Sequence, residues 1–560
     1  MRLLYTMRLA GTFLVLFFLS TITSSQTLPV GTPGLEDYYR RLQLLGQADS
    51  SLSLVIRPLV PLTALSSKFS GKEDSLFYDG KKTALRVLPL VLKQQFVSHH
   101  PYGFNDGAMI PARGYQVYAS TGFSARYKFL SVQLMPELVY ATNGSFKGLA
   151  DAGHTTGFLR GYYGYYNNYI DAPERFGDHS YTKLLPGQSS VRITFDPVSF
   201  GLSSENLWWG PGIYNSILMS NTAPGFMHLT LNTTRPIRTP IGSLEGQIVA
   251  GRLNGTDYKA LDVDPSNPTF SGFKSRPDDW EYLSGMVISY QPKWVPGLFL
   301  GLTRSFTILS KNLEHKLSDY LPFLQPFEKK NVGDVEEDSK QRDQLTSVFG
   351  RWLWTAANAE VYFEFGRNDH AYNLRDFYME PEHARAYVFG FNKLFKPDVA
   401  GRGYFGVNVE LANTTNSNTS TLRANSPWYA HGQVPYGYTN EGQVLGAGIG
   451  PGGIYQVLNL SWNDGLKKLS FQFDRQVHNH DLYKSLMGGT VDASHLKDWV
   501  DYGFSLNGVY DYRKNILLTG MLKVVSSRNY NWEIYDYDAY DVKGKNVANV
   551  VMQLNMIYRF

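Results

Sequence analysis

Between Trp208 and His228 the chain concentrates side chains that suit a sugar. Trp208 and Trp209 offer ring faces for the C–H face of a pyranose, while Asn215, Ser216, Ser220 and Asn221 offer amides and hydroxyls for its hydroxyl groups. His228 closes the segment. The glycines and prolines among them also suit an inward loop locked to a surrounding wall, so glycan contact and structural plug both fit. Arg235 and Arg238 follow, with Arg252 beyond, and forked hydrogen bonds would let them meet the carboxylates or phosphates of an acidic polymer. Pairing with inward glutamates such as Glu245 or Glu364 is the alternative. A third aromatic set, Tyr162, Tyr163, Tyr165, Tyr166 and Tyr169, either stacks sugars or belongs to an interfacial girdle.

Catalytic patterns are weak by comparison. His478, His480 and Asp481 are close enough in sequence to suggest a metal, but an exposed loop accounts for them, and 12 His in 560 residues need no special role. There is no HExxH helix and no nucleophile elbow. Glu360 and Glu364 lie four apart on an alternating segment, about 13 Å along a strand, beyond the carboxylate separations of glycosidases. The absence of Cys removes disulfides, thiolate metal sites and cysteine nucleophiles. With 53 basic and 49 acidic residues, the chain lacks the concentrated basic surface that nucleic acid requires. The expectation is a binding protein with no catalytic residues, metal or cofactor.

The elements that must position these residues read as follows. Arg2 and Arg8 precede an apolar run from Leu9 to Leu19 and then small polar residues, which is an export signal over residues 1–25. That run is too short to span a membrane as a helix, and no later stretch reaches the ~18 apolar residues needed. Residues 26–84 are expected to form a helical periplasmic segment, with one helix from Pro33 to Gly46 whose face carries Leu35, Tyr38, Leu42 and Leu45.

From Leu85 onward the period becomes two. Tyr115, Val117, Ala119, Thr121, Phe123, Ala125 and Tyr127 share one face of a long strand, and Pro136 predicts a break in the next. Asn463-Asp464-Gly465 marks a hairpin, and Pro292, Pro296 and Gly297 mark another. Over Ala548 to Phe560, Met552, Leu554, Met556, Tyr558 and Phe560 alternate with polar or inward partners, and the chain stops on an aromatic residue. With the export signal and 38 Tyr, this pattern predicts an all-β fold: a transmembrane antiparallel barrel over residues 85–560, of roughly 16 to 20 strands.

Pro101-Tyr102-Gly103-Phe104-Asn105-Asp106-Gly107, Trp208-Trp209-Gly210-Pro211-Gly212, Ala223-Pro224-Gly225-Phe226, Pro240-Ile241-Gly242, Gly366-Arg367-Asn368-Asp369 and Pro381-Glu382-His383 resemble, in order and spacing, the Wzi capsule-assembly family in its Bacteroidetes form. The resemblance implies an outer-membrane barrel of about 18 strands in a Gram-negative bacterium. It also implies a lectin-like partnership with capsular or surface polysaccharide, which the protein would help assemble or retain. Outer-membrane lipid would surround it, and outer-membrane protein partners would be unidentified. A porin-like solute channel, or an accessory subunit of a larger outer-membrane surface complex, would share the same strand pattern. The charged stretch from Lys311 to Arg342 reads as an extracellular loop.

Overall fold

A computed structural model describes residues 27–59, 85–256, 258, 276–314, 316–324, 341–368, 374–396, 403–421, 425–487, 497–513, 515–536 and 543–560. The export signal expected over 1–25, and residues 60–84 of the N-terminal segment, lie outside the described residues.

Antiparallel strands close into one barrel of 18 strands. In chain order they are β1 (Leu85–Tyr102), β2 (Ala112–Tyr127), β3 (Leu130–Leu134 and Glu137–Ala141), β4 (Tyr181–Leu185 and Ser190–Phe195), β5 (Val198–Ser203) and β6 (His228–Thr233 and Ile237–Thr239). Then come β7 (Gly242–Leu253), β8 (Glu281–Pro292), β9 (Leu298–Leu309), β10 (Arg342–Trp354), β11 (Ala359–Asn368) and β12 (Arg385–Phe395). The last six are β13 (Tyr404–Asn413), β14 (Ile454–Asp464), β15 (Lys467–Val477), β16 (Val500–Arg513), β17 (Ile516–Arg528) and β18 (Val547–Tyr558). The final strand closes the ring by pairing with β17 on one side and β1 on the other, from Leu90 opposite Tyr558 to Val97 opposite Val551. Closure leaves no open sheet edge, which lipid would not tolerate.

Period two becomes an outside and an inside. On β18, Met552 and Leu554 point out while Val551 and Ile557 are buried; on β2, Tyr115, Phe123 and Tyr127 are exposed while Gln116, Tyr118 and Ser120 are buried. β3 breaks at Met135 and Pro136, as the missing donor predicts, and Met135 bridges to Gly187 instead. The hairpin at Gly465 forms with φ +57°, the left-handed conformation that its lack of a side chain allows.

Connections alternate between two kinds. Turns such as 128–129, 196–197, 293–297 and 465–466 are short and share one rim, while 142–180, 204–227, 254–280, 310–341, 414–453 and 478–499 are long and share the other. Lys311 and Arg342, the ends of the charged stretch, lie at the long-loop rim, and residues 325–340 between them lie outside the described residues. Aromatic side chains gather at the short-turn rim, among them Phe129 stacked on Phe195 at 5.5 Å and Tyr558 edge-on to Phe560 at 5.2 Å. The tyrosines after Phe158 are not part of such a girdle. They ride on a helix in the β3–β4 connection, α2 (Thr156–Asn168), because their three- and four-residue spacing suits a helical face and Thr155 caps it by accepting from the Phe158 N–H.

Residues 27–59 of the N-terminal segment lie in the lumen, with their helix at the short-turn end. This helix, α1 (Leu35–Leu44), starts after Gly34 and ends before Gly46, both at positive φ, two residues inside each end of the expected span. Leu35, Tyr38 and Leu42 pack with Leu466, Leu517 and Ile557 of the barrel, while Leu45 is only partly buried. A helix of this length is marginal in water alone, so this burial is what holds it. The Arg40 guanidinium donates to Glu360 at 2.6 Å, and Arg351 donates to the other oxygen of Glu360 at 2.7 Å.

Candidate functional site

Trp208 and Trp209 form a two-residue strand that pairs inside the lumen with Ile56 and Arg57 of the N-terminal segment. The Trp208 ring lies under the Arg57 guanidinium at 4.3 Å, and the Trp209 indole N–H donates to Gln247 on β7 at 2.9 Å. The glycines that follow are required by space: a side chain at Gly212 would collide with the Asn215 carbonyl oxygen. Trp209 and Asn215 are both 0% exposed, and Trp208, Asn221 and His228 are buried as well. These five side chains therefore share the lumen rather than the surface.

Carboxylates on the barrel wall receive the inserted segment. Glu410 on β13 accepts from the backbone N–H groups of Ile213 and Asn215, at 2.7 and 2.8 Å, and from the Asn215 side-chain amide at 3.2 Å. Glu364 on β11 accepts from the Ile217 N–H at 3.1 Å and the Ser347 hydroxyl at 2.7 Å. Asn221 donates to the Asn105 carbonyl at 2.7 Å and accepts from Asn206 at 2.8 Å, while its own carbonyl accepts from the Gly107 N–H at 2.7 Å. His228 pairs with the Phe226 carbonyl through Nδ1 at 2.7 Å. Above these contacts Trp428, Tyr429, Tyr438 and Leu445 from the β13–β14 connection pack on Trp209, Ile217 and Met219.

Arg235 and Arg238 stand apart from that cluster. Both are exposed at the short-turn rim, where Arg235 donates to Asp196 at 2.8 Å. Glu245 is taken instead by the Ser53 N–H at 2.8 Å, and Arg252 lies over Trp280 at 5.4 Å. The histidine group lies in a connection at the long-loop rim but is not the exposed loop expected: His480 and Asp481 open a helix, His480–Met487, and all three residues are half-buried, with His478 paired to Asp501 at 2.9 Å and stacked on Trp499, and His480 paired to Asp498 at 2.8 Å. The hydrogen bond to Asp498 holds the His480 pKa above its ordinary value. Among the described residues, no three His, Asp or Glu side chains are grouped to hold a metal ion.

A cavity of about 160 Å3 remains toward the long-loop end. Phe104, Asn105, Thr222 and Gln443 line it with Pro173 and Phe176, and the Phe104 ring is backed by Tyr455 at 5.1 Å. Thr222 donates to Asn105 Oδ1 at 3.1 Å, and Gln443 donates to the Gly107 carbonyl at 3.3 Å. Thr222 belongs to the Trp208 to His228 segment, so the inserted loop forms part of this wall. Sequence reasoning passed over Glu410 and Gln443. Glu410 carries a legible signal, an acid alternating with Val407, Val409 and Leu411; Gln443 lies in a connection without periodicity.

No curated protein is similar to the chain in sequence. Among solved structures it is similar to Wzi of Escherichia coli, described as an outer membrane protein involved in group 1 capsule assembly and a carbohydrate-binding β-barrel, with a TM-score of 0.60 at 14% identity over 96% of this chain and 100% of that one. Lower similarity connects it to OccAB4 of Acinetobacter baumannii (TM-score 0.38, 10% identity, 86% and 99% covered) and to a BenF-like porin of Pseudomonas fluorescens (0.36, 9%, 85% and 99%). The profile of the family described as capsule assembly protein Wzi matches residues 98–535, a span that holds the inserted tryptophan loop and most of the wall receiving it. This outer-membrane chain thus belongs to the Wzi capsule assembly family.

Proposed function

We propose that the protein binds capsular polysaccharide and retains it at the cell surface, without catalysis, and that one sugar residue enters the cavity lined by Phe104, Asn105, Thr222 and Gln443. The carrying observation is this cavity, which joins an aromatic face to amide and hydroxyl groups at the rim that outer-membrane barrels turn outward. Its volume is many times the roughly 10–15 Å3 that one water molecule needs on the same measure, which leaves room for a ring. Trp208, Trp209, Asn215, Asn221 and His228 serve the site from beneath, by holding Thr222 and Asn105 in place. Their burial favours the plug over direct glycan contact. The N-terminal segment closes the periplasmic mouth, and the packed lumen speaks against a porin-like channel. The order of the motifs follows the Bacteroidetes form of the family.

The test measures binding of purified capsule fragments and capsule retained on cells. Phe104→Ala and Gln443→Ala should shed capsule at normal membrane abundance, since one well-used aromatic face is worth on the order of 1 kcal/mol. Trp208→Ala should instead lower abundance. Full retention in both cavity variants would remove the cavity from the proposal, and a wild-type protein that binds no capsule fragment would overturn the function itself.

A further inference from the structure

We propose that the short-turn rim is a binding surface for the phosphodiester headgroups of anionic phospholipid. Six different hairpins around the ring each present an exposed cation in the short turn or on the strand end beside it: Lys128, Arg238, Lys293, Lys396, Lys467 and Arg513. None of the six ends in an ion pair with a carboxylate among the described residues. Arg235, by contrast, is spent on Asp196. Among the described residues of these turns and the strand ends beside them, Asp196 is engaged, and Asp464 and Asp511 are only partly exposed.

Placement points to lipid rather than to a soluble polyanion. Beside five of these cations stands an exposed aromatic residue, four of them at outward positions of their strands. Lys128 Nζ lies 5.4 Å from the centre of the Tyr127 ring, Lys467 Nζ lies 5.6 Å from that of Tyr510, and the Arg513 guanidinium lies 5.2 Å from that of Tyr512. Lys293 precedes Trp294, which is 69% exposed, and Lys396 follows Phe395. Aromatic rings of this kind settle at the depth of the headgroups, so they hold these five cations at phosphate level. In outer-membrane barrels the short turns face the periplasm, so this rim meets the phospholipid of the inner leaflet. Each cation near an anionic surface adds attraction that salt screens.

The experiment reconstitutes the full chain in bilayers. Spin-labelled phosphatidylglycerol and spin-labelled phosphatidylcholine are compared for the fraction immobilised at the protein. At low salt the anionic lipid should be enriched roughly threefold or more, and the preference should shrink toward unity at about 1 M salt, where the Debye length is about 3 Å. Changing all six cations to Gln should abolish the enrichment. Should that variant fail to assemble, two triple variants, Lys128/Lys293/Lys467→Gln and Arg238/Lys396/Arg513→Gln, should each reduce it. Equal association of the two lipids in wild type would overturn the proposal, as would an enrichment that survives high salt or the substitutions. So would retention of soluble peptidoglycan fragments at the rim without any lipid preference, which would assign the surface to a macromolecular partner.

Discussion

Asn215, on the segment inserted into the lumen, gives both its backbone N–H and its side-chain amide to the Glu410 carboxylate of β13, at 2.8 and 3.2 Å. Glu410 also takes the Ile213 and Tyr214 N–H groups and the Tyr362 hydroxyl. One buried carboxylate thereby satisfies a tight turn that has no regular ladder of its own, the accounting that any buried backbone demands.

Replacing Glu410 with Ala orphans these donors together. Each buried group left without a partner costs roughly 1–3 kcal/mol, so the inserted loop should loosen before the barrel does. Planar-bilayer recordings should show openings in Glu410→Ala and no steady conductance in wild type. A silent Glu410→Ala protein of normal stability would show that the turn is held by other contacts.

Glu360 is flanked by two arginines, Arg40 of the helical plug and Arg351 of β10, and all three are buried. Removing the shared partner from a buried ion group costs about 3–5 kcal/mol, because the remaining charges stay desolvated. Glu360→Gln should therefore lower the temperature at which the folded, gel-shifted form is lost and expose the N-terminal segment to protease. The double change Arg40→Met and Glu360→Gln should suffer less protease exposure than Glu360→Gln alone.

Tyr558 and Phe560 end the closing strand at the aromatic rim. Changing both to Asp removes ring faces from the interface and from the terminal segment of the strand that pairs with β1. Outer-membrane levels, measured on whole-cell fractions, should fall several-fold. Unaltered levels would separate this terminus from assembly.

His480 donates through Nδ1 to the Asp498 carboxylate at 2.8 Å in the β15–β16 connection, and its pKa is raised chiefly by that hydrogen bond. A raised pKa means that the folded loop favours the protonated ring. The pair's contribution is complete below the ordinary value near 6.5 and disappears as pH climbs through the higher folded value. Because His480 is 39% exposed, the effect is small and local. Protease cleavage in 478–499 should rise from pH 6 to pH 8, and His480→Gln should flatten that slope.

The sequence by itself determined the wall. Alternation is written residue by residue, and a strand facing lipid must obey it at every second position, so the break at Pro136, the hairpin at Gly465 and the outward set on β18 were all legible. The inward polar face was legible too, including Glu360, Tyr362 and Glu364 on β11. Only the tertiary structure decided what occupies the lumen. Trp209 meets Ile56, Asn215 meets Glu410 and Asn221 meets Asn105 across separations of more than a hundred residues. These loop contacts follow no period, so composition suits a sugar site and a plug equally. The choice between them turns on burial, and burial is a property of how the distant segments pack together.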